Sequence, residues 1–382
     1  MKKKVIIGLS GGVDSSVAAF LLKKKGFEVE GIFMRNWDSS LNNDIKGNYF
    51  INNYICPQEK DFQDALNVAK QLNIKCHRID FIKEYWEKVF LSFLEKIKQN
   101  LTPNPDVLCN NQIKFLAFLK YAKVFNPDYI AMGHYAQITY KKNQPILTKA
   151  LDTNKDQTYF LSQLKIEQLR KIIFPLGKLT KVEVRQIAKR EKLINADKKD
   201  STGICFIGER NFFHFLNNYL PIKKGFIINI KNGKYLSEHE GVFKYTIGQR
   251  KNLNLKVSKG NSGPWFVVGK DLKKNILYVD QDKNSSYLYS DSALIVDVIW
   301  RKYEDNIFDH KITNLKAKFR YRQIEQNVKI EWIDKNTLKV YYENKIKSVT
   351  PGQICAFYKD NFCLGAGMIL EVFNNNKKLL YS

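Results

Sequence analysis

The stretch Lys4-Val5-Ile6-Ile7-Gly8-Leu9-Ser10-Gly11-Gly12-Val13-Asp14-Ser15-Ser16 decides how this chain folds. Residues 4–9 form a short β-rich run. Two adjacent glycines then let the backbone turn tightly. Residues 15–25 place Val17, Phe20 and Leu21 at helical spacing, and Gly26 stops them. Working outward, residues 27–34 read as a second strand, 61–72 as a helix and 74–79 as a strand. A long amphipathic helix is expected over 81–99, another over 111–125 and a strand over 129–132. Strands separated by helices predict an α/β fold with a doubly wound parallel sheet. Ligands of such sheets sit at the carboxyl ends of the strands.

From about Pro221 the pattern changes. Residues 225–230 and 234–236 flank Asn232-Gly233, a pair suited to a tight hairpin turn. Short β-rich runs follow at 265–268, 276–279, 293–300, 315–321, 328–332, 338–342 and 353–358. They predict a small β-rich central domain and then a C-terminal β-barrel. The expected division is 1–210, 211–284 and 285–382.

The 382 residues carry 63 Lys and Arg against 38 Asp and Glu, a net charge of +25. Residues 1–210 contribute +13 and 211–382 contribute +12, so no basic tail accounts for the excess. Such a charge points to an anionic partner, nucleic acid before a membrane surface. No apolar run approaches the ~18 residues that span a bilayer. The N-terminal apolar run is shorter than the ~7–15 residues of a signal core. A cytoplasmic protein is expected. Of six cysteines, Cys56, Cys76, Cys109, Cys205, Cys355 and Cys363, none forms CxxC or a zinc pattern with histidine. No metal site is expected from them.

SGGVDS between a strand and a helix is a phosphate-loop pattern. Free amides at a helix start bind anions, and serine hydroxyls add donors. It is neither GxxxxGK[ST] nor GxGxxG. Cys109 lies in Thr102-Pro103-Asn104-Pro105-Asp106-Val107-Leu108-Cys109-Asn110. The two prolines predict a stiff, irregular loop, with Asn110 capping the helix that follows. Cys109 would then stand beside a helix N-terminus, which favours a thiolate. Asp106 is a candidate proton carrier. The other reading is a buried structural cysteine and a surface aspartate, and spacing alone does not separate them. Cys205 is bracketed by Gly203 and Gly208 and has basic neighbours, which suits an accessible thiol. Alternation between Ile204 and Phe206 equally suits a core cysteine. The other four cysteines read as structural.

Seven motifs occur in order: SGGVDSS (10–16), TPNPDVLCN (102–110), MGHYA (132–136), KDQTYFL (155–161), DSTGICFIGER (200–210), YTIGQRKNL (245–253) and PGQ (351–353). The first matches the PP-loop of the ATP pyrophosphatases. Together, over residues 4 to 370, they resemble the tRNA-specific 2-thiouridylase family of bacterial and mitochondrial type. Asn252 stands where that family commonly has glycine.

The resemblance implies that Gly8, Leu9, Ser10, Gly11, Gly12, Val13, Asp14 and Ser15 wrap the phosphates of ATP, with Mg2+ accompanying it, and that Met34 and Gly133 hold the adenosine. It implies replacement of the C2 oxygen of the wobble uridine by sulfur in the tRNAs for Lys, Glu and Gln. Cys205 would carry a persulfide supplied by a sulfur-donor or relay protein, Cys109 would complete transfer through a Cys109–Cys205 disulfide, and Asp106 would serve as general acid/base. Asn104, Pro105 and Asp106 would meet the flipped base. His134, Lys155, Asp156, Gln157, Arg320, Tyr321 and Gln353 would contact the tRNA. Two rivals remain in view: a PP-loop ligase that adenylates a small molecule, and a non-catalytic tRNA-binding protein.

Overall fold

In a computed structural model, residues 2–46, 48, 57–200, 212–253, 255, 263–301 and 313–381 are described, without the side chains of Pro57, Phe213 and Thr313. The chain divides into two compact units: Met1–Leu91 with Pro105–Asn218 and Asn361–Leu364, and Ser92–Asn104 with Tyr219–Asp360 and Gly365–Ser382.

The first unit is built on β1 (Lys4–Gly8), β2 (Glu28–Arg35), β3 (Lys75–Asp80), β4 (Tyr129–Ala131) and the short strand Ile172–Ile173. Their order is β3-β2-β1-β4 and then Ile172–Ile173, with every pairing parallel. The expected parallel sheet is present. The chain steps from β1 outward to β3 and returns on the other side of β1 as β4. The order therefore reverses between β1 and β4, which opens a ligand crevice at their carboxyl ends.

Helix α1 (Val13–Lys24) follows β1, and helix α2 (Pro57–Gln71) precedes β3. Gly26, at φ +84°, ends α1 in the left-handed conformation that glycine adopts readily. Val5, Ile7 and Leu9 pack with Val17, Ala18 and Leu22 of α1 and with Val184 and Ala188 of the helix Lys181–Arg190. This core fixes the end of β1, and with it the start of α1.

Two expectations change here. The expected helix at 81–99 is interrupted by a wide, π-type turn at Trp86–Phe90, between Ile82–Tyr85 and Leu91–Lys98. The expected irregular loop before residue 111 instead becomes helix at Pro105: Pro105–Leu108 continues as a π-type stretch, Cys109–Ala117, and then Phe118–Ala122. Proline suits a first helical position because its φ is preset and no N–H is left over. Asn110 is consequently inside the helix. Its Nδ2 donates to the Asp106 carbonyl at 2.9 Å instead of capping. The hairpin Gln137–Lys141/Gln144–Thr148, with Lys142 and Asn143 at φ +47° and +61°, is an addition to the sequence reading.

In the second unit, four strands lie in the order Phe266–Asp271, Ile276–Asp280, Gly225–Asn229, Tyr235–His239. The expected Asn232-Gly233 hairpin joins the last two, with Gly233 at φ +69°. Asn252 has φ +62°, a conformation that asparagine tolerates where glycine is otherwise favoured. The barrel follows in the order Tyr289–Trp300, Thr337–Lys347, Gln326–Asp334, Thr313–Lys318, Ile354–Lys359, Phe362–Asn374. Pairing of Ala293 with Val372 and of Trp300 with Gly365 closes it. Closure is tight: a Cβ on Gly365 would lie 2.3 Å from the Ile299 carbonyl oxygen.

Lys270 lies 1% exposed in this unit, and its Nζ donates to the Asn100 carbonyl at 3.0 Å. Burial pushes its pKa down to about 7. The unfolded chain holds that proton to about pH 10.4. Between these values the unfolded state binds more protons, so stability rises with pH. Denaturant titrations from pH 6.5 to 10 should show that rise in the wild type and a flatter profile in Lys270→Met. Equal slopes would refute this account of Lys270.

Candidate functional site

The phosphate loop is held open by its own serines. Ser15 Oγ donates to the Gly12 carbonyl at 3.0 Å and accepts from Ser10 N at 3.2 Å. Ser16 Oγ donates to the same carbonyl at 2.9 Å. Gly12 stands at the N-cap of α1 and has no side chain to cap the first-turn amides. Those donors are available to an anion, and the helix dipole favours one there. Gly11 has φ +71°, and a Cβ on it would meet the Asp61 carbonyl oxygen of α2 at 2.4 Å.

Two further glycines shape the cradle. A Cβ on Gly8 would lie 2.5 Å from Met132 Sδ and 3.3 Å from Met34 Cε. A Cβ on Gly133 would lie 2.9 Å from Ser15 N and 3.0 Å from the Asp14 carbonyl carbon. Met34, Gly133 and the loop, far apart in sequence, thus meet where β1, β2 and β4 end. The cradle fits a polyphosphate with an apolar flank for a base. Leu9 and Val13 are buried beneath it.

Several residues to which the sequence reading gave no role complete the surroundings. Asn195 Nδ2 donates to the Gly11 carbonyl at 2.9 Å and to Ser16 Oγ at 2.8 Å. Lys198 pairs with Asp61 at 2.8 Å and Asp64 at 2.6 Å on α2. Tyr135 Oη donates to Asp14 Oδ1 at 2.9 Å, and Lys181 Nζ donates to the same oxygen at 2.7 Å. Burial, and next the charge of Asp14, push the Tyr135 phenol upward, so it stays a donor. Burial opposes ionisation of Asp200, but hydrogen bonds from Lys181 and Lys155 win and hold it well below the usual carboxylate range. MGHYA contained Tyr135 and DSTGICFIGER contained Asp200, but nothing local marked Lys181 or Asn195.

Asp106 and Cys109 lie on the helix that begins at Pro105. Cys109 is 2% exposed. Burial raises the pKa of Asp106, and the Lys114 charge on the same helix opposes the rise. Cys205 lies outside the described residues, as does Cys56. Burial pushes the Cys76 thiol up to about 11 and raises that of Cys355 as well. Cys363 is buried.

His134 is buried between Phe115 and Phe174. Burial, followed by the Lys114 charge, lowers its pKa well below the ordinary value and keeps it neutral. Lys155 reaches Asp200 at 3.1 Å. Asp156 accepts from Ala150 N at 3.0 Å and Thr158 Oγ1 at 2.7 Å. Gln157 exchanges hydrogen bonds with the Tyr135 backbone, its N donating at 2.8 Å and its Oε1 accepting at 2.9 Å. The MGHYA and KDQTYFL motifs are thus tied to each other.

In the second unit, Arg320 Nη2 donates to the carbonyls of Ile247 and Ser348 and to Thr350 Oγ1. Tyr321 beside it is half-buried. Gln353 Nε2 donates to the Thr102 carbonyl at 2.7 Å, and Thr102 N donates to the Pro351 carbonyl at 2.8 Å. This fixes the segment that leads through Asn104.

Gly133→Ala should lower polyphosphate affinity about tenfold or more, because its methyl displaces the backbone at Asp14–Ser15; titration calorimetry with ATP measures it. Unchanged affinity would show that the loop yields without loss.

Among the described residues, no helix is long and apolar enough to cross a membrane. Residues 3–209 match the model described as tRNA methyl transferase HUP domain. Residues 213–281 match tRNA methyl transferase PRC-barrel domain, and 290–369 match Aminomethyltransferase beta-barrel domain. The chain is 60% identical over 382 residues to the tRNA-specific 2-thiouridylase MnmA of Phytoplasma australiense, covering 100% of both chains. It is 60% identical over 385 residues to that of Aster yellows witches'-broom phytoplasma (strain AYWB), covering 99% of this chain and 100% of the relative. To that of Acholeplasma laidlawii (strain PG-8A) it is 57% identical over 382 residues, covering 100% of both. Full-length identity of this order, with a phosphate cradle where the parallel sheet reverses, makes the chain a member of the tRNA-specific 2-thiouridylase family.

Proposed function

We propose that this chain is a cytoplasmic, ATP-dependent sulfurtransferase that converts the wobble uridine of tRNA to 2-thiouridine, acting on the tRNAs for Lys, Glu and Gln. The observation that carries the reading is the phosphate cradle in the same compact unit as Asp106 and Cys109, in a chain so close to named 2-thiouridylases over its whole length. Bound ATP, with Mg2+, supplies the adenylation that turns the uracil C2 oxygen into a good leaving group. Residues 8–15 hold the phosphates, and Met34 and Gly133 flank the adenosine. The target base leaves its stack to reach the site, where Asn104, Pro105 and Asp106 receive it.

Cys205 carries the sulfur as a persulfide, charged by a donor protein. Attack of the Cys109 thiolate on the inner sulfur of the Cys205 persulfide would form a disulfide and release hydrosulfide, which would add to C2 and expel the adenylated oxygen as AMP, pyrophosphate having left on adenylation. Closing that disulfide requires the two Cα atoms to come within ~6 Å. A two-electron reductant then restores both thiols. Asp106 accepts the Cys109 proton, a role that its raised pKa suits. A small-molecule ligase would need neither the cysteine pair nor so basic a β-rich half. A non-catalytic tRNA binder would not need the intact cradle.

The test is incubation of the protein with ATP, a persulfide source and unmodified tRNA, followed by mass analysis of the wobble nucleoside. Replacement of one oxygen by sulfur is expected, and an unchanged nucleoside would refute the proposal. Cys109→Ser and Cys205→Ser should each abolish thiolation while leaving tRNA affinity within about twofold. The rate should fall as pH drops through the raised pKa of Asp106. Lys114→Met removes the charge that opposes the rise and should move that acid limb to higher pH. A limb that stays in place in Lys114→Met would remove Asp106 from the proton transfer.

A further inference from the structure

Asp14, the acid of the phosphate loop, shares a cation with a second acid. Lys181 Nζ lies 2.7 Å from Asp14 Oδ1 and 2.8 Å from Asp200 Oδ1, on a side chain only 14% exposed. Asp200 also receives Arg185 at 2.6 Å and Lys155 at 3.1 Å. With Asp152, which accepts from the Lys181 backbone and whose charge also reaches the Tyr135 phenol, three cations face three carboxylates, so the cluster is balanced until an anion arrives at the open amides of α1. The base of Lys181 is fixed: its backbone N–H donates to Asp152 Oδ2 at 2.9 Å, and a Thr180–Glu183 capping box starts its helix. The long side chain is free to redistribute its three donors between partners.

We infer that Lys181 is a phosphate-binding residue held jointly by Asp14 and Asp200, and that a polyphosphate on the loop competes with both carboxylates for it. The inference rests on the proposed use of ATP. A polyphosphate carries more charge than a carboxylate and approaches the same ammonium. Lys155 and Arg185 keep Asp200 anchored when Lys181 turns away. Asp200 is thus a competitor of the nucleotide, and by linkage the nucleotide weakens the hold on Asp200 to the same degree. Asp200 opens the DSTGICFIGER motif, five positions before Cys205. The phosphate site is thereby coupled to the main chain that leads into the sulfur-carrying cysteine.

Calorimetric titration of the full chain with ATP, without tRNA or sulfur donor, tests this. Lys181→Met should weaken binding about tenfold, and Lys181→Arg should stay within about threefold of wild type. Asp200→Asn should tighten binding about threefold or more by freeing Lys181, and that gain should vanish in the Lys181→Met background. Weaker binding by Asp200→Asn with an unaltered thermal transition would overturn the inference, as would a gain that persists without Lys181. Should Lys181→Met fail to fold, Lys181→Arg and Asp200→Asn decide the matter by the same criteria. Absence of ATP binding by the wild type would remove the proposed function and this inference together. Normal wild-type binding with unresponsive variants would remove the inference alone.

Discussion

The first unit depends on one close approach, that of Gly133 to the backbone at Asp14–Ser15, where a side chain of any size would collide. It exists because β4 pairs directly with β1, Ile7 lying opposite Ala131. That pairing sets the end of one strand against the start of the helix that follows the other. Everything in the cradle follows from it. The first-turn amides of α1 face the gap, Met34 arrives from β2 on the other side, and the serines fold inward to hold the loop. β1 is buried on both faces, Val5, Ile6 and Ile7 alike, so a slip of one residue in its register would exchange the side chains packed on those faces and carry the loop away from Gly133.

Charge has two separate uses in this chain. Most of the +25 is spread over both halves, as suits a partner with a long polyanionic surface. A smaller set is internal. Lys181 and Arg185 bind carboxylates near the phosphate loop, and Lys198 clamps α2. Arg320 is spent on carbonyls within its own unit. Gln353 and Arg320, which the family resemblance implied at the tRNA, both hold backbone segments in place. A residue can set the geometry of a nucleic-acid surface in this way without donating to the nucleic acid itself.

The sheet was legible because its strands are short apolar runs punctuated by glycine and by helices of clear period. The errors have local causes. The two prolines around Asn104 suggested irregular chain, yet Pro105 is a helix start, so Cys109 lies one turn inside and not at the cap. The strand Phe362–Asn374, the longest in the described residues, was not anticipated. Gly365, Ala366 and Gly367 interrupt its pattern. Those glycines are what the barrel seam requires: a Cβ on Gly367 would meet Ile295 Cγ2 at 2.6 Å. Sequence patterns report propensity, and here closure of the barrel overrides it.

By itself the sequence determined the class of the fold and the phosphate loop, because each is written in neighbouring residues whose backbone or side-chain chemistry is self-contained, whereas the two cysteines were singled out only by the family resemblance. Only the tertiary structure decided which groups surround the loop. Lys181 and Asn195 stand 167 and 184 positions from their partners Asp14 and Gly11. A lysine at the start of one helix and an asparagine after its end carry no mark of their own. Packing of Val184 and Ala188 against α1 brings them to the loop, and distance in the folded chain, not spacing along it, sets the strength of a charge interaction.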